Sequence, residues 1–324
     1  MLCIRSLQHD PYYNLAAEEY LLKSSGEEVF MLWQSDPVVV VGKHQNTLAE
    51  INYSYVRGNN IQVARRLTGG GTVYHDQGNI NFTFIRQGEP GRLVDFGSFI
   101  APVIGFLKYM GIEAFRGQKN EILVDGKKIS GNAEHVFRNR VLHHGTLLYS
   151  ANLEQLRESI KPGSGYTGKA VQSNRSSVMN LSGRFLPEMD ISKFGDRFMQ
   201  YIMESFQGKL FEPGLMEQQA IQKLAVEKYS SWDWIYGWSP DYMFEGEYNS
   251  GHHKIGITLS VHRGIIQHCT LQSATISPLY LEAMAGRLKG VPHDENSIMK
   301  KLSGKVFKKN VRNKELEDLV SSFF

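Results

Sequence analysis

The stretch that most constrains this chain is RRLTGGGTVYHDQGNINFTF, residues 65–84. Gly69, Gly70 and Gly71 stand between a basic pair and a polar cluster. Glycine reaches backbone angles closed to other residues and lets a ligand approach the main chain. Three together present several N–H donors in one place, which suits a phosphate or carboxylate. Arg65 and Arg66 add charged donors on one side, and His75, Asp76, Asn79 and Asn81 follow. A lone glycine triplet reads as a tight turn. This one heads a patterned strand, with Asn79, Asn81 and Thr83 alternating with Ile80, Phe82 and Phe84. A donor-rich loop therefore leads into a half-buried strand whose polar face lines a cavity and whose apolar face enters a core.

The 324 residues allow one large domain or two ordinary ones. With 41% apolar and 21% charged residues, the composition is that of a soluble globular enzyme. No apolar run reaches the length of a membrane span, and the first twenty residues have no secretory pattern. Cys3 and Cys269, the only cysteines, exclude a disulfide framework and a cysteine-rich metal site, and fit a reducing cytoplasm. A net charge of +3 is too small to argue for nucleic acid.

Along the chain, helices are expected over 14–23 and 48–57, with strands over 29–33, 38–41 and 61–64. In the first helix Leu15, Tyr20, Leu21 and Leu22 line one side. A helix over 96–110 meets Pro102, which limits where its interior begins. Asp125-Gly126 between apolar runs marks a hairpin. With that turn Leu123 faces Lys128, Ile122 faces Ile129 and Glu121 faces Ser130, so Lys128 stands on the face opposite the isoleucines. His143 and His144, adjacent in a strand, point to opposite faces and are not a chelating pair.

Residues 163–169 match most of a P-loop, but Ala170 replaces the hydroxyl residue that would hold magnesium. The segment reads as a mobile loop carrying Lys169, Ser173 and Arg175 towards an anion. Helices over 190–206 and 213–229 precede SWDWIYGWSPDY, read as a packed joint between domains. A three-stranded meander over 243–271 and three helices complete a small module.

The glycine stretch, NEILVDGKKISGNA at 120–133 and HHGTLL at 143–148 together resemble the lipoate–protein ligase family, of the bacterial type with a C-terminal accessory domain. The loop GKAVQSNRSSVMNL and WDWIYGWSP are similar to it as well. The resemblance implies an α+β (mixed α/β) fold: a biotin/lipoate–protein ligase-like catalytic domain over 1–240, with a mixed β-sheet and flanking helices, and a small α/β domain over 241–324. It implies ATP-dependent activation of lipoate to lipoyl-AMP, then transfer of lipoyl to a lysine ε-amine. The acceptors it implies are lipoyl domains of 2-oxoacid dehydrogenase complexes and the H protein of glycine cleavage, with neither nucleic acid nor membrane as partner.

The implied site follows residue by residue. Arg66 matches the arginine over the acyl and phosphate region, and Gly71, Thr72, Val73 and Tyr74 the backbone that holds the nucleotide. His75 and Asn79 lie near the acyl group, Asn120 and His144 at further matched positions. Lys128 matches the lysine that touches both lipoate and adenylate, and is the expected catalytic group. Lys169 and Ser173 belong to the phosphate loop. Mg2+ is expected to arrive with ATP, with Glu121 the candidate carboxylate near it and no metal site of the protein's own. Glu121 departs from the aspartate frequent in the family, and Ala170 from a glycine. Alternatives of the same fold are a transferase of preformed lipoyl-AMP and an octanoyltransferase. Cys3 and Cys269 lie outside the matched motifs, which disfavours a cysteine nucleophile. A non-enzymatic lipoate- or nucleotide-binding scaffold is disfavoured by the joint presence of Arg66, Lys128 and His144.

Overall fold

A computed structural model describes all residues except 90, 92, 162, 175, 186–188, 252 and 304–312, with the side chain of residue 313 also outside it. Arg175 therefore lies outside the described residues. The chain forms two compact units, each discontinuous in sequence: Met1–Lys43, Ile61–Glu158 and Ser173–Ser231; and His44–Asn60, Ser159–Gln172 and Trp232–Phe324. A linear cut near residue 240 does not place His44–Asn60 and Ser159–Gln172 with the C-terminal segment.

The first unit is built on a mixed six-stranded sheet in the order Asn132–Phe137, Arg140–Leu148, Asn79–Gln87, Val29–Trp33, Leu2–Arg5 and Lys209–Leu210. The first four strands pair antiparallel, and the last three are mutually parallel. Val38–Val41, wholly buried, pairs parallel with Gln62–Arg65 and antiparallel with Val73–His75. The glycine stretch thus connects two strands that flank one buried strand. A hydrophobic core on the main sheet joins Phe82 and Phe84 to Phe99 and Phe106 of helix Phe96–Tyr109 and to Phe194 and Phe198 of helix Ile191–Ser205. Helix Phe96–Tyr109 runs through Pro102, its seventh residue, which forfeits the bond to the Ser98 carbonyl.

Strand Asn79–Gln87 departs from the half-buried expectation: its first seven residues are buried on both faces. The apolar face enters the aromatic core, while the polar face meets helix Pro11–Ser24, where the Thr83 hydroxyl donates to Glu18 Oε1 at 2.5 Å. That helix is capped by Asp10, whose carboxylate accepts from the Tyr12 amide, with Pro11 at its first position. It is not a simple amphipathic helix, because Glu18 and Glu19 are buried along with Leu15, Leu21 and Leu22, whereas Tyr20 is only half-buried. Glu19 accepts from Lys23, Lys228 and Tyr229, each at 2.6 Å.

The hairpin over Ile122–Val124 and Lys127–Ser130 turns on Asp125 and Gly126, both at positive φ, the conformation two-residue hairpin loops favour. Leu123 faces Lys128 as expected. The next pair differs: Ile122 faces Ser130, because the ladder shifts by one residue there. A bulge bends a strand, and this one lies where the chain leaves the hairpin for the main sheet at Asn132.

In the second unit a four-stranded sheet, in the order Tyr166–Gly168, Tyr242–Asn249, Lys254–His262 and Ile265–Gln272, packs against helices Pro278–Leu288, Glu295–Leu302 and Asn313–Ser321. Residues 166–168 of the expected mobile loop are therefore a paired strand. The expected helix over 48–57 is two short ones, Thr47–Glu50 and Tyr53–Gly58. Asn52 breaks it by capping the second, its side chain accepting from the Tyr55 amide.

Candidate active site

A cleft of about 260 Å³ opens in the first unit. The sequence-predicted residues Arg66, Gly71, Thr72, Val73, His75, Glu121, Lys128, His144 and Ser173 all line it. Tyr74, Asn79 and Asn120 do not line it, and Lys169 belongs to the second unit. Tyr74 alternates to the other side of its strand and donates to Gln155 at 2.6 Å. Asn79 is buried against Asn81, which does line the cleft. Asn120 sits at positive φ, its side-chain oxygen accepting from Arg116 Nε at 3.1 Å.

The glycine loop is held in shape from behind by Arg66. One terminal nitrogen donates to the Gly69 and Gly71 carbonyls at 2.6 and 2.7 Å, and the other to Val40 at 3.1 Å. Most of its donors are thus spent on the loop, while its charge faces the cleft. Burial lowers its guanidinium to about 10. Gly42 makes this packing possible, since a Cβ there would overlap the Gly70 carbonyl oxygen. Arg65 is fully buried and donates to the Gly42 and Lys43 carbonyls. Ser173 Oγ accepts from the Thr72 amide at 2.8 Å, tying Ser173 to the loop.

A second network crosses the cleft wall. Arg66 Nε donates to Thr68 Oγ1 at 2.9 Å, Thr68 lies 2.8 Å from His144 Nε2, and His144 Nδ1 lies 2.9 Å from Glu18 Oε2. With Thr68 accepting from arginine and donating to Nε2, the imidazole proton sits on Nδ1 and points at the carboxylate. Glu18 also accepts from the Trp33 indole at 3.3 Å and from Thr83. Glu18, Trp33 and Thr68 are cleft or network residues that sequence reasoning passed over. For Glu18 a signal existed: adjacent acids on a helix whose flanking positions are all apolar have no solvent face to occupy.

Lys128 and His75 supply the contrast in the cleft. The Lys128 backbone is fixed by Ser177 and Met179, its amide donating to one and its carbonyl accepting from the other, at 2.9 and 3.1 Å. Its ammonium lies beside Gly131, where an added Cβ would meet Nζ at 3.3 Å. Among the described residues that ammonium has no hydrogen-bond or ion-pair partner. Burial lowers its pKa, and the Glu121 carboxylate counters this. His75 is buried against the edge of Trp33, with neither ring nitrogen partnered among the described residues. Burial, with Arg66 close by, drives it to about 3, so it stays neutral.

A cleft lined by Arg66, Gly70, Gly71, Thr72 and the Lys128 ammonium together with Leu15, Trp33 and Val40 suits an anionic substrate with an apolar tail. The family described as "Lipoyl protein ligase A/B catalytic domain" matches residues 10–203, and "Bacterial lipoate protein ligase C-terminus" matches 239–323. Lipoate-protein ligase LplJ of Bacillus subtilis is 33% identical, covering 96% of this chain and 97% of its own length. A P. falciparum LipL1 structure in complex with lipoate aligns with a TM-score of 0.64 at 22% identity, over 99% of this chain and 98% of that one. A lipoate-protein ligase A structure bound with ATP aligns with a TM-score of 0.62 at 24% identity, over 73% and 98%. This chain belongs to the lipoate–protein ligase family, and it is an enzyme of the ligase class.

Proposed function

We propose that the cleft activates lipoate with ATP and then passes the lipoyl group to the ε-amine of a lysine on a lipoyl domain. In the first step a carboxylate oxygen attacks the α-phosphorus, the bond to pyrophosphate breaks, and lipoyl-AMP forms. In the second the amine attacks the acyl carbon, AMP leaves with the bridging oxygen, and the amine gives up a proton as the amide forms. Neither step needs a protein nucleophile; both need charge stabilisation and positioning.

The observation that carries this reading is the Lys128 ammonium, held by its backbone in the cleft and without a hydrogen-bond or ion-pair partner among the described residues. Two anions must meet during activation, and a cation between them offsets their repulsion. Gly70, Gly71 and Thr72 of the glycine loop line the same space, and Arg66 braces the loop through the Gly69 and Gly71 carbonyls. The neutral His75 and Trp33 suit the acyl side of the cleft. Glu121 offers one carboxylate, which fits a Mg2+ whose remaining ligands are nucleotide oxygens and water. Among the described residues no cluster of three acidic, histidine or cysteine side chains could hold a metal.

Acceptors are the lipoyl domains of 2-oxoacid dehydrogenase complexes and the glycine cleavage H protein. A two-part lipoate protein ligase of Thermoplasma acidophilum is described together with its E2 lipoyl domain. The setting is the cytoplasm, and among the described residues no helix is long and apolar enough to cross a membrane. A cysteine-dependent octanoyltransferase fits less well. Burial raises both thiols, Cys269 to about 12, and Cys3 lies in the core. The test is intact-mass analysis of an unmodified lipoyl domain incubated with enzyme, lipoate, ATP and Mg2+. One lipoyl amide per domain, formed only with ATP, is expected. Transfer from synthetic lipoyl-AMP with none from lipoate and ATP would overturn the activation step.

A further inference from the structure

On the face of the sheet opposite His144, a buried proton-sharing chain runs toward the cleft. Glu134 and His143 are directly paired across strands Asn132–Phe137 and Arg140–Leu148, with Glu134 Oε1 2.9 Å from His143 Nδ1. His143 Nε2 lies 3.2 Å from Asn132 Oδ1. Asn132 Nδ2 donates to the Asn120 carbonyl at 2.8 Å and to Ser130 Oγ at 3.3 Å. Asn132 and Glu121 line the cleft, and Ser130 stands two residues after Lys128. The ring of His143 is stacked on Phe99 at 5.0 Å and edged by Phe96. Both side chains of the pair are sealed from solvent, at 0% and 3% exposure.

The directions in this chain are fixed by chemistry. A backbone carbonyl only accepts, so Asn132 must turn its amide nitrogen to Asn120 and its oxygen to His143. His143 Nε2 must then carry a proton, and a second proton must lie in the Nδ1–Glu134 bond. We propose that Glu134 and His143 are positioning residues for the ligase reaction, holding Asn132, and through it the Asn120–Glu121 corner and the Lys128 strand, by one shared proton. The proposal rests on the ligase reading for its kinetic consequence, not for its structural content.

Loss of that proton reverses the chain. A buried Glu134 carboxylate draws the remaining imidazole proton to Nδ1. A bare Nε2 then faces Asn132 Oδ1, acceptor against acceptor, and the amide must rotate and release the Asn120 carbonyl. Burial raises the Glu134 carboxyl to about 7, against the Asp95 backbone amide and Arg116, while the Asp95 charge adds to the rise. Among the described residues its Oε2 is buried with no partner at hydrogen-bond geometry, which suits a neutral carboxyl better than an anion. Burial holds His143 well below its ordinary value, with His144, Arg86 and Arg116 acting in the same sense.

The test compares the wild-type enzyme with Glu134→Gln. A glutamine amide donates permanently to Nδ1 and cannot lose its proton. Wild-type kcat for lipoyl transfer should fall between pH 7 and 9, by up to about fiftyfold if only the protonated form is active. Glu134→Gln should match wild type at pH 6 and lose that fall, with KM for lipoate changed less. Superimposable pH profiles overturn the proposal. A readout independent of activity is 15N NMR of histidine-labelled wild-type protein, with His143 assigned from His143→Gln. A proton on Nε2 at pH 6 that moves to Nδ1 above pH 8 is expected. A proton on Nδ1 at pH 6 refutes the chain even if ligation is robust, and absent ligation with the expected tautomers refutes only the ligase reading.

Discussion

Replacing Lys128 with alanine removes an ammonium that has no partner among the described residues, while leaving its backbone bonds to Ser177 and Met179 in place. The hairpin and the core residues Ile122 and Ile129 do not depend on the side chain, so the fold should persist. Coulomb attraction between unit charges 4 Å apart, at the effective dielectric of a partly buried site, is about 4 kcal/mol. Not all of it is specific to the transition state. A loss of about 3 to 4 kcal/mol, a hundred- to thousandfold in rate, agrees with removal of one preorganised donor elsewhere. Lys128→Arg should not rescue, because the ammonium already lies against Gly131 and a larger planar head must displace that backbone. Lys127, its exposed neighbour, serves as the control and should tolerate alanine. The assay measures pyrophosphate exchange and transfer from synthetic lipoyl-AMP for all three variants. A Lys128→Ala enzyme within threefold of wild type in both reactions would refute the role assigned to the ammonium.

Other expectations follow from the same geometry. Gly42→Ala drives a methyl into the Gly70 carbonyl, so it should distort the glycine loop and raise KM for ATP at least tenfold with only a modest drop in Tm; unchanged ATP binding by calorimetry counts against the close approach. Thr68→Val breaks the Arg66–Thr68–His144 chain at its centre and should cost about 1 to 3 kcal/mol in stability, read by urea denaturation. Burial would raise Glu19, but bonds from Lys228, Lys23 and Tyr229 hold it down to about 2. A depressed carboxylate contributes stability above its unfolded value of 4.5 and loses it as pH falls toward 2. Glu19→Gln should therefore lose on the order of 3 kcal/mol at pH 7 and flatten the acid limb of the denaturation curve.

Much of the fold was legible because its periodicities are strong. The all-valine run at 38–41, the Asp125-Gly126 turn and the alternation at 79–84 each correspond to an element. What sequence could not show was which polar residues are buried. The polar face of Asn79, Asn81 and Thr83 read as the lining of a cavity, yet of the three only Asn81 lines the cleft, while Asn79 is buried against it and Thr83 donates to a carboxylate brought by a helix. The hairpin register shifted by one at Ile122 because the bulge answers a tertiary demand, the bend into the main sheet. Within the candidate site, local motifs such as the glycine loop and Lys128 could be read as contiguous text. Glu18 and Thr68 could not, because each acts through a partner 76 or 126 positions distant in the chain. Arg66 was legible as a cleft residue but not as the brace of the glycine loop, which depends on the carbonyl directions of Gly69 and Gly71.

The most direct measurement is lipoate-dependent exchange of labelled pyrophosphate into ATP, made on the purified chain with Mg2+ and no acceptor protein. Exchange that requires lipoate, and that Lys128→Ala abolishes while Lys127→Ala preserves, is the expected result. Absence of exchange from a folded protein that still transfers lipoyl from synthetic lipoyl-AMP would contradict the assignment of the activating step to this cleft.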